Sequence, residues 1–207
     1  MSLLQGLDYA SVFIFGLTGA LAASRAQLDI VGFVFLACLT AVGGGTLRDV
    51  ILNRDQVFWV ADPGMILSAS LAAVLVFFTA HLLESRLRAL EWLDALALGV
   101  AVPAGVGVAM GMGQSWPIVL IMGVATGTFG GLMRDVVCNE LPLVLKKGEL
   151  YATAALSGAL GALAVSMVTE SMLLTLLGCG MLTFALRAGS MLHGWCLPVY
   201  KSRPPRA

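Results

Sequence analysis

Apolar residues run through this chain in stretches of about twenty, separated by short polar breaks, from the first dozen positions almost to the last. An α-helix needs roughly 20 apolar residues to cross the hydrocarbon of a bilayer, so each stretch predicts one membrane span. Seven can be marked: Leu7 to Ser24, Ile30 to Asn53, Pro63 to Leu83, Trp92 to Gly111, Trp116 to Asn139, Leu150 to Val168 and Met172 to His193. Trp59, Trp92, Trp116 and Trp195 fall near span ends, where an aromatic belt places them. The first stretch has no basic residue ahead of it and reads as a retained span rather than a cleaved signal.

The pattern is duplicated. Gly44, Gly45, Arg48, Asp49 and Val50 return as Gly130, Gly131, Arg134, Asp135 and Val136, 86 residues later. At the same offset Leu7 and Asp8 match Leu93 and Asp94, Gly19 matches Gly105, Thr40 matches Thr126, Asn53 matches Asn139, and Ala73 matches Ala159. Each unit then holds three spans, and an odd number makes the second unit enter the membrane from the opposite side. The expected fold is an all-α integral membrane protein of two inverted three-helix repeats, residues 1–86 and 87–170, with a seventh helix over 171–195 and a basic tail over 196–207. Substrate and ion sites in inverted repeats lie where discontinuous helices of the two units meet.

Composition agrees: 59% of residues are apolar, 12% are charged, and the mean hydropathy is +0.94, far from ordinary globular values. Net charge is zero but unevenly placed. Arg25, Arg86, Arg88, Lys146, Lys147, Lys201, Arg203 and Arg206 fall on one side and Arg54 on the other, with Arg48, Arg134 and Arg187 inside spans. The positive-inside rule then puts the N-terminus outside and the C-terminus in the cytoplasm; the basic, proline-rich tail reads as a disordered, topology-setting end, with contact to anionic lipid as the alternative. Cys38, Cys138, Cys179 and Cys196 show no ligand spacing and read as small apolar residues. His81 and His193 read as interfacial imidazoles. No metal, cofactor or nucleic-acid signal is present.

The motif itself carries the chemistry. Glycine costs about 1 kcal/mol relative to alanine inside a helix, so Gly43, Gly44 and Gly45, and again Gly130 and Gly131, predict kinks or unwound turns. A break of that kind is tolerated in hydrocarbon only where it packs on protein or lines water. The competing reading is close packing, since Gly123, Gly127 and Gly131 recur every four residues, as do Gly107 and Gly111. Charged residues within spans mark transport pathways or structural staples. Neighbours on a helix point about 100° apart, so Arg48 and Asp49 are expected to find partners elsewhere. Pseudo-symmetry suggests crossed pairs, Arg48 with Asp135 and Arg134 with Asp49. Asp8 and Asp94, at equivalent span starts, either face a vestibule or cap helix N-termini, and capping is the favoured reading.

These features together, with Gly-Gly-x-x-Arg-Asp in the second and fifth of seven spans, resemble prokaryotic members of the trimeric intracellular cation (TRIC) channel family, which overlap a bacterial glycine-transporter-domain family. The resemblance spans about Leu7 to His193. It implies a homotrimer in a bacterial inner membrane, each subunit enclosing its own pore permeable to potassium or other monovalent cations and lined by the kinked second and fifth helices. The family's glycine kinks fall on Gly43, Gly44 and Gly45 and on Gly130 and Gly131, with Phe129 standing where the first copy has Gly43. Its basic motif residues fall on Arg48 and Arg134. The long lysine-rich C-terminal tail of the animal members is missing, so their calcium and lipid regulation does not carry over.

A cation channel is therefore the expected function, with Asp49 and Asp135 attracting cations. The alternative is a carrier for a small zwitterion such as glycine, its carboxylate on helix amide ends and its ammonium on Asp49 or Asp135. An intramembrane enzyme is disfavoured because no nucleophile–base or metal constellation appears.

Overall fold

A computed structural model of the chain describes residues 2–83, 85–146 and 149–198. Lys147 and most of the basic tail, including Lys201, Arg203 and Arg206, lie outside the described residues. The described chain is all-helical: α1 (Leu3–Arg25), α2 (Ile30–Ile51), the single turn α3 (Phe58–Ala61), α4 (Gly64–Thr79), α5 (Arg86–Gly111), α6 (Trp116–Val137), α7 (Ala152–Ser166) and α8 (Met172–His193). Capping fixes several starts. Ser2, Asp29, Ser85 and Ser171 each accept the backbone N–H three residues on, which satisfies donors left free at a helix N-terminus. Gly194 closes α8 at φ +67°, a conformation that favours glycine.

Among the described residues, six helices are long and apolar enough to cross a membrane. The expected sixth span is shorter than its sequence suggested. Helix α7 has 15 residues, about 22 Å at 1.5 Å per residue. Its start is held back because the N–H of Leu150 is bonded to Ser190 Oγ at 2.9 Å and the side chain of Tyr151 is drawn inward. Other boundaries sit close to those expected, but α1 and α5 begin one to two turns earlier than their apolar windows.

Helix α5 is central, packed against α1, α6 and α8, while α1 also meets α2 and α4, and α2 meets α6. Its middle is almost wholly buried, from Ala101 to Ala109, and it continues through Pro103. The interior is built largely of small residues, such as Ala20, Ala23, Ala69, Ala73, Ala95 and Ala159, whereas large apolar side chains including Phe35, Leu67, Phe78, Leu174 and Met181 point outward. That distribution suits a lipid solvent, where helices approach through small residues rather than by burying bulk. The protein is an integral membrane protein. Cys179 is buried as expected, but Cys196 is exposed and Cys38 and Cys138 are only half-buried.

Helices α2 and α6 have 22 residues each and lie at the 86-residue offset, as do Asn53 (φ 50°) and Asn139 (φ 55°), which follow them in the left-handed region. Both run as continuous α-helix through their glycines, so the unwound turns expected there are absent. The glycines serve approach instead. A Cβ on Gly44 would collide with the carbonyl of Thr126, and one on Gly130 with the carbonyl of Thr40. The two helices therefore cross antiparallel, backbone against backbone, at equivalent points.

Candidate functional site: two buried arginine–aspartate networks

Arg48 and Arg134 are fully buried, and each sits eight residues or fewer beyond the α2–α6 crossing in its own direction. Arg48 donates from Nε to Asp49 Oδ1 at 2.7 Å and from Nη1 to Asp8 Oδ1 at 2.9 Å. Asp49 also accepts from Arg54 Nη1 at 3.2 Å and, on Oδ2, from the backbone N–H of Phe58 at 2.8 Å. The guanidinium of Arg48 lies 5.3 Å from the centre of the Phe58 ring, within cation–π reach.

The second network repeats the first. Arg134 donates from Nε to Asp135 Oδ1 and from Nη1 to Asp94 Oδ1, both at 2.8 Å. Asp135 Oδ2 accepts the backbone N–H of Leu143 at 2.9 Å. Asp94 takes a further bond from the Tyr151 hydroxyl at 2.6 Å. Behind Tyr151 lies Arg187 of α8, fully buried, with its guanidinium 5.2 Å from the ring centre and Nη2 2.7 Å from Glu149 Oε2, a charge contact off the hydrogen-bonding direction.

The crossed pairs are not formed. Gly44 lies against Thr126 and Gly130 against Thr40, so Arg48 stands opposite about residue 122 and is roughly 18 Å along the axis from Arg134. The antiparallel crossing that makes the motifs equivalent also sends them to opposite ends. Nor are Arg48 and Asp49 separated. The side chain of arginine is long enough to fold back, so its Nε reaches the carboxylate of the next residue although their Cβ atoms diverge. Asp8 and Asp94 cap no helix; they lie within α1 and α5 as the second partners of the motif arginines.

Of the residues singled out in the sequence, Arg48, Asp49, Arg134 and Asp135 form the cores of the two networks. Gly43, Gly44 and Gly130 lie at the helix crossing, where Gly43 faces Met133. Gly45 abuts Phe58, and a Cβ on Gly131 would stand 3.2 Å from the Tyr151 hydroxyl. Asp8, Asp94, Tyr151 and Arg187 were missed as partners. One signal could have found the aspartates: both stand 40 residues ahead of the motif arginine in their own unit, and a buried guanidinium with one adjacent carboxylate still needs further acceptors.

The two ends differ in access. Asp8 opens on a cavity of about 370 Å³ lined also by Gln5, Arg54, Phe58, Asp62 and Met65, in which Asp62 accepts from Tyr9 at 3.0 Å and Gln5 at 3.3 Å. The Asp8 side chain is 12% exposed, whereas that of Asp94 is fully buried. Arg25, Arg86 and Lys146 gather at the Asp94 end, through Glu140, the carbonyl of Ser24 and Glu91.

A family model described as glycine transporter matches residues 5–81 and again 91–167. The chain is 38% identical to the inner membrane protein YadS of Escherichia coli over 75% of each chain. It is 35% identical to a UPF0126 membrane protein of Vibrio cholerae, over 96% of this chain and 83% of that one. Among solved structures it resembles the TRIC trimeric intracellular cation channel orthologue from Rhodobacter sphaeroides, with 42% identity, coverage of 94% and 100%, and a TM-score of 0.90. A prokaryotic TRIC channel matches with 26% identity, coverage of 91% and 98%, and a TM-score of 0.82. The chain therefore belongs to the glycine-transporter family and to the prokaryotic branch of the TRIC family that overlaps it.

Proposed function

We propose that this protein is a monovalent-cation channel, potassium-permeable, with a pathway inside each subunit of a homotrimer in a bacterial inner membrane. Two inverted units, residues 1–86 and 87–170, build the pathway; the seventh transmembrane helix (171–195) braces it, and the basic tail (196–207) is on the cytoplasmic side. The N-terminus is outside. The double match of the family model at an 86-residue offset supports the division into units, and the channels named among the structural relatives support the conduction.

The observation that carries the reading is electrostatic. Each motif arginine is bracketed by two aspartates, so its repulsion of a cation is cancelled; at the first end Arg54 balances the second carboxylate of the pair, and Asp62 in the cavity leaves a negative excess there. That excess faces the cavity of about 370 Å³. Desolvated charge of this kind acts strongly on a permeating ion because little water screens it. The glycines of α2 and α6 are where the helices hold their own backbone least firmly, and there the two elements separate when the path opens.

Purified protein in planar bilayers under asymmetric KCl tests the reading. Discrete potassium-selective openings, unchanged by added glycine, are expected. Silence in the bilayer together with saturable glycine counterflow in liposomes overturns it in favour of a zwitterion carrier, the reading that the family's description suggests.

A further inference from the structure

We propose that Tyr151, braced by Arg187, is a latch that holds the Asp94 end of the pathway shut. The proposal rests on the channel reading. The two networks share the same core, and besides Arg54, which bonds Asp49 where its counterpart Glu140 pairs with Arg25 instead, they differ at this point. Asp8 and Asp94 each give Oδ1 to the motif arginine, at 2.9 and 2.8 Å. The second oxygen of Asp8 has no hydrogen bond among the described residues and its side chain borders the cavity, while that of Asp94 is occupied by the Tyr151 hydroxyl at 2.6 Å. The residue equivalent to Tyr151, 86 positions earlier, is Met65, which lines the cavity and has no hydroxyl to offer. The sequence thus departs from its own repeat where one end is open and the other closed.

The bracing comes from the helix that has no counterpart in the first unit. Helix α8 holds three consecutive residues of the segment before α7: Glu149 by Arg187, Leu150 by Ser190 Oγ at 2.9 Å, and the Tyr151 ring by the Arg187 guanidinium above it. The Tyr151 hydroxyl also lies against the motif glycine, 3.2 Å from where a Gly131 Cβ would stand, and a Gly131 Cβ would be 3.4 Å from Asp94 Oδ1. With the hydroxyl in place, Asp94 offers a permeating cation nothing, and its carboxylate is walled off from water. When the segment swings out with α8, one oxygen of Asp94 is released, as one oxygen of Asp8 already is. Tyr151 is the plug and Arg187 a positioning residue, since it acts on Asp94 only through the ring it covers.

Single-channel recording of the full-length protein, wild type, Tyr151→Phe and Arg187→Gln, at fixed voltage in symmetric KCl decides the matter. Tyr151→Phe keeps the ring and removes the bond, so open probability is expected to rise several-fold with the trimer intact by size-exclusion chromatography. Arg187→Gln is expected to raise it too, and the double variant to rise no further than Tyr151→Phe alone, because both act through one hydroxyl. If Arg187→Gln does not assemble, Tyr151→Phe alone decides. A wild-type channel that opens, with Tyr151→Phe equal to it or less active, makes the contact a structural staple and overturns the latch. A wild type that never opens overturns the channel reading itself, and the latch falls with it.

Discussion

Arg48 and Arg134 satisfy their charge locally, each with one carboxylate from the next residue and one from a neighbouring helix. The motif residues were legible in the sequence because charge in an apolar span demands a reason; their partners were not, because Cβ directions describe short side chains better than arginine. Removing one partner of a buried pair costs about 3–5 kcal/mol. Asp94→Asn, which leaves the fully buried Arg134 with Asp135 alone, is therefore expected to lower thermal stability sharply, read as a drop of several degrees or more in the melting temperature of the detergent-solubilised protein. Asp8→Asn behaves differently. Asp8 keeps contact with the cavity, so water compensates part of the loss. Its main expected effect is a lower potassium current at about 0.01 M salt that fades at 1 M, where screening falls to within about 3 Å.

Between elements, the crossing of α2 and α6 sets how close the two halves come. Gly43, Gly44 and Gly130, singled out in the sequence, lie at that crossing, and the competing packing reading describes what they do in this conformation, with carbonyls of Thr40 and Thr126 occupying the space a side chain on Gly130 or Gly44 would take. Periodicity alone could not separate a broken helix from a closely packed one, since both call for glycine. Gly44→Val or Gly130→Val is expected to force the helices apart and destabilise by about 1–3 kcal/mol, measured as loss of monodisperse protein on gentle heating. Gly111→Ala is the matched control. Nothing lies within 4 Å of a Cβ there, so that change is expected to be neutral or stabilising by up to about 1 kcal/mol.

For the whole molecule, the six long apolar helices and their order were readable from hydropathy because the bilayer imposes a length on every crossing. The shortening of α7 was not, because it depends on hydrogen bonds from distant segments. On the proposed orientation, with the C-terminus in the cytoplasm, Cys196, exposed just beyond α8, is expected to react with a membrane-impermeant maleimide only after cells are opened. Cys138, past the end of α6, reacts more slowly: burial first, and then the negative charge of Glu140, push its thiol above the ordinary range, leaving less thiolate at neutral pH. The 22 Å or so of α7 leaves it short of a hydrocarbon layer of about 30 Å, and Leu156 and Leu160 on its outer face are exposed. Wherever no other chain covers that face, the bilayer must pinch inward to meet it, so this protein carries a built-in preference for thin membranes, and lengthening the acyl chains of the host lipid will load α7 and the Tyr151 segment at its head with mechanical tension.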